Sequence, residues 1–154
     1  SDARRYPAIH PLESWSKYTS VVDADELARA RQILRRGNEV DQMMKVIGEE
    51  GTAMDDFIVY LKSEFLDYTY LQQNTFDSVD GATSAERQRI MFNDVHKVLQ
   101  TDFNFDNKES ARKFFLGLRQ LFTDRNYMEL DSKEYRDQSV LIENEISQGS
   151  RKDA

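Results

Sequence analysis

From Leu27 onward, apolar residues return every three or four positions. Leu27, Ala30, Leu34, Gly37, Val40, Met44 and Ile47 form one stripe, the period of an amphipathic helix. Asp23 or Asp25 is placed to cap its start. Gly37 costs about 1 kcal/mol relative to Ala in a helix interior. The stripe nevertheless keeps its phase across that residue, so the spacing predicts one long helix over 23–47, about 37 Å at 1.5 Å per residue. Gly48 is placed to end it. Glu49 to Asp56 then reads as a short acidic loop, with Gly51 permitting a left-handed turn. Thr52 and Asp55 are spaced as a capping box for the next helix.

That second helix carries Phe57, Ile58, Leu61, Phe65, Tyr68 and Leu71 on one face, and the polar run QQNTFDSVDG after it reads as irregular, closing at Gly81. Ser84 is placed to cap a third helix bearing Met91, Val95, Val98 and Leu99. Asp102 to Asn107 is a break. Ala111, Phe114, Phe115, Leu118, Leu121 and Phe122 follow at helical spacing, and Tyr135, Ser139, Ile142 and Ile146 mark a weaker last helix. Both prolines, Pro7 and Pro11, fall in the opening stretch, which they bias away from helix. The pattern predicts an all-α fold: an extended lead-in at 1–22, a single bundle of about five helices at 23–147, and a disordered polar tail at 148–154.

Composition narrows the function classes. A chain of 154 residues suits one domain. Acidic residues number 28 against 21 basic ones, for a net charge of −7, which argues against a nucleic-acid partner and against docking on anionic lipid. At 39% hydrophobic residues, the chain is too apolar for a disordered segment. It has no cysteine, so disulfide scaffolds, thiolate metal sites and cysteine nucleophiles are excluded. No apolar run approaches the roughly 20 residues of a membrane span, and no signal-peptide core opens the sequence. The expectation is a soluble, acidic, intracellular domain.

Motifs for chemistry are sparse. No GxxxxGK[ST] phosphate loop, G-x-S-x-G or H-E-x-x-H occurs. Histidine is limited to His10 and His96, and His96, beside an apolar stripe with no second ligand at metal spacing, reads as a boundary residue. Asp102, Asn104 and Asp106 resemble the start of a calcium loop, but Asn107 stands where Gly is needed and Lys113 where the bidentate Glu belongs. The stretch therefore reads as an interhelix break with Phe103 and Phe105 packing inward, and no metal site is expected. The carboxylate pairs Glu49/Glu50 and Asp55/Asp56 read as a solvated loop, and Phe114, Phe115 and Phe122 as core. Trp15 and Tyr18 either form an interface or cover the bundle end. On composition and spacing alone, this is a helical interaction domain.

Two stretches carry more. Tyr6-Pro7-Ala8-Ile9, running on to Ser14-Trp15-Ser16-Lys17-Tyr18, resembles the YPA-x-x-x-x-x-S segment that leaves the nucleotide-binding domain in rotary ATP synthases. Phe65-Leu66 with Leu71-Gln72-Gln73-Asn74-Thr75-Phe76-Asp77-Ser78-Val79-Asp80 resembles the FLQQNxFDPVD signature of the catalytic A subunit in the vacuolar/archaeal branch. The chain is thus similar to the C-terminal helical domain of V/A-type A subunits, clearly over about residues 4–100. Ser78 departs from the family's proline.

The resemblance implies a domain separated from its barrel and nucleotide-binding domains, with residues 1–22 leading in from the latter and the Ser-Asp opening marking a cut rather than a natural start. It implies that the aromatics at Tyr6 and Phe76 lie at the adenine end of the nucleotide site, where ring stacking contributes roughly 1–3 kcal/mol per base. Gln72, Gln73 and Asn74 would either fix the loop or meet adenine edges. The acidic segment with Glu49, Glu50, Asp55 and Asp56 would be the tip that pushes on the rotor, matching the family only in acidity and position.

The implied cofactors are ATP or ADP with Mg2+ in the full subunit, with none bound by this stretch alone, which would hold no catalytic residue and no ATPase activity. The implied partners are B subunits in an alternating hexamer, central-stalk subunits and, indirectly, a membrane sector moving H+ or Na+, with no nucleic acid. The implied location is peripheral on the cytoplasmic face of the cell membrane. The alternative reading is a stand-alone acidic helical adaptor binding a protein partner.

Overall fold

Gly48 turns the chain out of its first helix with φ +86°, the left-handed conformation that lets a helix end abruptly. The computed structural model describes residues 24–80 and 84–150, and the side chains among them outside 70–85. Five helices make up the described fold: α1 (Ala24–Ile47), α2 (Met54–Asp80), α3 (Ser84–Gln100), α4 (Lys108–Asn126) and α5 (Lys133–Gly149). An isolated bridge pairs Phe103 with Ser150. The all-α bundle predicted from periodicity is the observed architecture.

Leu27, Ala30, Leu34, Gly37 and Val40 of the α1 stripe are buried as expected. Ile47 is not, being 50% exposed beside Val46 at 84%, where α1 ends. The helices alternate in direction. Only a short turn separates Ile47 from Met54, and Arg36 and Gly37 of α1 meet Asp56 and Ser63 of α2, so these two fold back on each other as an antiparallel hairpin. Phe65 of α2 packs on Phe115 and Phe122 of α4 with ring centroids at 6.2 and 5.1 Å, and Tyr68 hydrogen-bonds Thr123, so α2 and α4 run parallel. α2 is the hub, contacting α1, α3 and α4, while α5 lies on α4 and α3.

The core runs along this hub, through Phe57, Leu61, Phe65 and Leu66 to Met91, Phe92, Val95 and Val98 and on to Leu118, Phe122 and Ile142. The 101–107 break packs inward as expected: Phe103 is buried and rests against Phe105, Phe114 and Phe115, with centroids 5.0–5.9 Å away. The Asn107 side chain accepts the Ser110 N–H at 2.8 Å and caps α4, which is the work this calcium-like stretch performs.

Several sequence expectations are corrected. Gly48 is the left-handed glycine of the α1–α2 turn, and Gly51 is not. Thr52 forms no capping box: its hydroxyl donates back to the Gly48 carbonyl at 3.0 Å, and the first bond of α2 runs from Phe57 N–H to Ala53 O. The turn is consequently shorter than predicted, and Asp55 and Asp56 stand in the first turn of α2, where carboxylates favour the helix dipole. The largest change is at QQNTFDSVD, which continues α2 to Asp80 instead of breaking it. With Ser78 where the family has proline, no residue here removes a backbone donor or forces a kink. α5 likewise runs to Gly149, past the predicted start of the tail at 148, because Gly149 is buried in the aromatic cluster: a Cβ there would come within 2.7 Å of the Phe114 ring.

Candidate functional site

The residues singled out by sequence fall at two ends of α2. Asp55 and Asp56 open the helix, with Glu49 and Glu50 in the turn just before it. Gln72, Gln73 and Phe76 stand on its last turns; their side chains lie outside the described ones. Tyr6 lies outside the described residues altogether. From Asp55 to Phe76, α2 spans about 31 Å at 1.5 Å per residue, so the acidic turn and the QQNTFD run are opposite ends of one rigid element. They do not form a single site.

At the acidic end, the carboxylates divide into two kinds. Glu49 is half-buried and ion-pairs with Arg112 of α4. Asp56 accepts from Arg36 at 3.1 Å, and Arg36 also holds Glu39 at 3.0 Å; these hydrogen bonds hold the Arg36 guanidinium above its ordinary range. These two acids tie the turn to α4 and α1. Glu50 and Asp55 are exposed and have no ion pair among the described residues. A groove of about 610 Å³ opens beside the turn, lined by Glu49, Glu50, Lys108, Glu109, Arg112 and Lys113 among others. Val46 and Ile47, the last residues of α1 before the turn, are exposed. Among the described residues no group of three His, Cys, Asp or Glu is arranged to hold a metal ion.

At the other end, α3 begins close behind α2 and is pinned by buried charge. Arg125 of α4, only 1% exposed, pairs with Asp94 of α3 at 2.8 Å. It also donates to Ser139 of α5 at 2.9 Å and packs over the Phe122 and Tyr135 rings. Arg87 donates to the Met128 carbonyl at 2.8 Å. Burial raises the Tyr135 hydroxyl above its ordinary pKa, against the opposing pull of Arg125 and Arg87. His96 stacks against Phe92 and lies 3.7 Å from Glu26, a boundary position. Sequence reasoning missed Arg36, Arg112 and Arg125: Arg112 and Arg125 find their partners across the bundle, and for Arg36 the i,i+3 spacing to Glu39 announces only the local half of its pairing, not Asp56.

The geometry is that of one continuous helix with an acidic turn at one end and the QQNTFD run at the other. A family model, the C-terminal domain of V and A type ATP synthase, matches residues 24–112. The chain belongs to this family. Among curated relatives of this V/A-type domain, the V-type ATP synthase alpha chain of Borrelia duttonii (strain Ly) is 53% identical over 144 residues, 94% of the chain and 25% of the relative. That of Treponema denticola is 50% identical over 148 residues, 96% of the chain and 25% of the relative. That of Borrelia turicatae is 59% identical over 126 residues, 82% of the chain and 22% of the relative. The V/A-type domain therefore spans about a quarter of the curated relatives it matches. No solved structure matches at a comparable level of significance. No helix among its described residues is long and apolar enough to cross a membrane.

Proposed function

We propose that this domain completes the adenine end of the nucleotide site in a V/A-type A subunit and transmits nucleotide-driven motion to the central stalk. The observation that carries the reading is the continuity of α2. One unbroken helix joins the QQNTFD run to the acidic turn, so displacement of one end moves the other without an intervening hinge.

Phe76, with Tyr6 from the lead-in, flanks the purine; a flat, weakly hydrated ring system stacks favourably on aromatic faces. Gln72 and Gln73, now read on a helix, present amides to the adenine edge or to the neighbouring chain. At the far end, Glu49 and Asp56 hold the turn in shape through Arg112 and Arg36, while Glu50 and Asp55 remain to meet the stalk beside the apolar Val46 and Ile47.

ATP or ADP binds in the full subunit, its phosphates and Mg2+ held by parts of the subunit outside this chain. The chain by itself hydrolyses no ATP. The surrounding assembly is an alternating hexamer with B subunits, peripheral on the cytoplasmic face of the cell membrane and driving H+ or Na+ through a membrane sector. Photolabelling the parent complex with 2-azido-ATP tests the adenine assignment: label on the 72–76 segment or Tyr6, removed by excess ATP, is expected. Competed label confined to other segments overturns it.

A further inference from the structure

Between Leu27 and Asn38, α1 carries Arg29, Arg31, Arg35 and Arg36 and no acidic residue, in a chain of net charge −7. A groove of about 460 Å³ opens along this stretch against α2, with Ile33 and Val59 in its lining between Arg29, Arg35 and Arg36. Arg36 is already shared between Glu39 and Asp56. Arg29 and Arg35 are exposed and have no ion pair among the described residues. The groove therefore presents two uncommitted guanidinium forks beside a short apolar strip, and Arg36 at its edge links it to Asp56 at the start of α2.

We propose that this groove docks an acidic segment of a partner protein, its carboxylates meeting Arg29 and Arg35 and an apolar side chain seating against Ile33 and Val59. Charge complementarity selects that occupant. A guanidinium fork matches a carboxylate in two parallel hydrogen bonds, and Arg is less strongly hydrated than Lys and gives up its water more readily. The apolar strip asks for a side chain, which a bare polyanion lacks. The surrounding negative charge opposes long polyanions such as nucleic acid or an anionic membrane, whose field extends well past the groove, whereas a short peptide segment meets the local arginines, the one carboxylate in the lining, Glu39, being paired with Arg36. The inference rests on the groove alone and does not depend on the adenine reading.

The test is fluorescence anisotropy of the chain with a short fluorescein-labelled peptide built on a Glu-Glu-Leu repeat. Saturable binding is expected at low ionic strength, weakening as salt is added. Arg29→Glu/Arg35→Glu should weaken it about tenfold or more with an unchanged thermal midpoint, and a Lys-Lys-Leu peptide should not bind. The proposal is overturned if the Glu-Glu-Leu peptide fails to bind at low salt, or if the charge-reversed variant binds it equally well. Tighter binding of oligo-dT or phosphatidylserine vesicles through the same arginines overturns it as well.

Discussion

Gly37 and Ser63 meet where α1 crosses α2, so closely that a Cβ on Gly37 would stand 2.1 Å from the Ser63 hydroxyl oxygen and 2.4 Å from its Cβ. The glycine that looks like a weak point in α1 is what lets the hairpin close. Gly37→Ala gains about 1 kcal/mol of helix propensity but forces the two helices apart, and overpacking of this kind costs about 1–3 kcal/mol. The expected net result in urea unfolding is a loss of stability. Because the clash is with one side chain, Gly37→Ala/Ser63→Gly should be more stable than the two single changes added together; strict additivity would show that the crossing is not the cause.

Sequence legibility follows the range of the interaction. The α1 stripe and the inward Phe103 were readable because burial follows a local period. Gly37 was legible only as a residue that did not break phase; its reason lies across the bundle at Ser63. The same holds for buried charge. Lys62 sits between Leu61 and Ser63 on the packed side of α2, yet a lysine reads as solvent-facing until the end of α3 and Thr101 just past it supply its acceptors. QQNTFDSVD reads as irregular from its polar composition but continues as helix to Asp80, since no proline stops it. Of the candidate site, the acidic turn before α2 was legible as a segment, while the arginines that brace it were not, because Asp56 and Glu49 find them on other helices.

The buried pair of Arg125 and Asp94 gives a second prediction. Asp94→Ala leaves a guanidinium with almost no solvent access, and breaking such a pair costs about 3–5 kcal/mol. Asp94→Leu/Arg125→Met, which removes both charges, should recover most of that loss. Guanidinium unfolding of the three proteins decides it: a double variant as unstable as Asp94→Ala would mean the pair itself, and not the stranded charge, matters.

Lys62 gives a pH dependence. Its ammonium donates to the Leu99 and Thr101 carbonyls at 2.9 and 2.8 Å, at the C-terminal end of α3 where carbonyls lack helical partners. Burial lowers its pKa from 10.5 to about 8, with the nearby Asp102 opposing and Arg29 adding to the shift. Below pH 8 both native and unfolded chains hold the proton, so the burial penalty is present in full. Between about pH 8 and 10.5 the native state releases a proton that the unfolded chain keeps, so this group's contribution makes stability rise with pH. Relative to Lys62→Met, wild type should gain on the order of 1–3 kcal/mol across that window. A difference that stays flat from pH 7 to 10.5 would contradict it.

The central claim is that the QQNTFD end of α2 faces a purine. Titration of the full A subunit with a fluorescent adenine nucleotide, wild type against Phe76→Ala, tests it most directly. The account predicts a dissociation constant raised about tenfold or more, the scale of a lost stacking contact, with the thermal midpoint of the subunit unchanged. An unaltered dissociation constant in a folded Phe76→Ala subunit would contradict it.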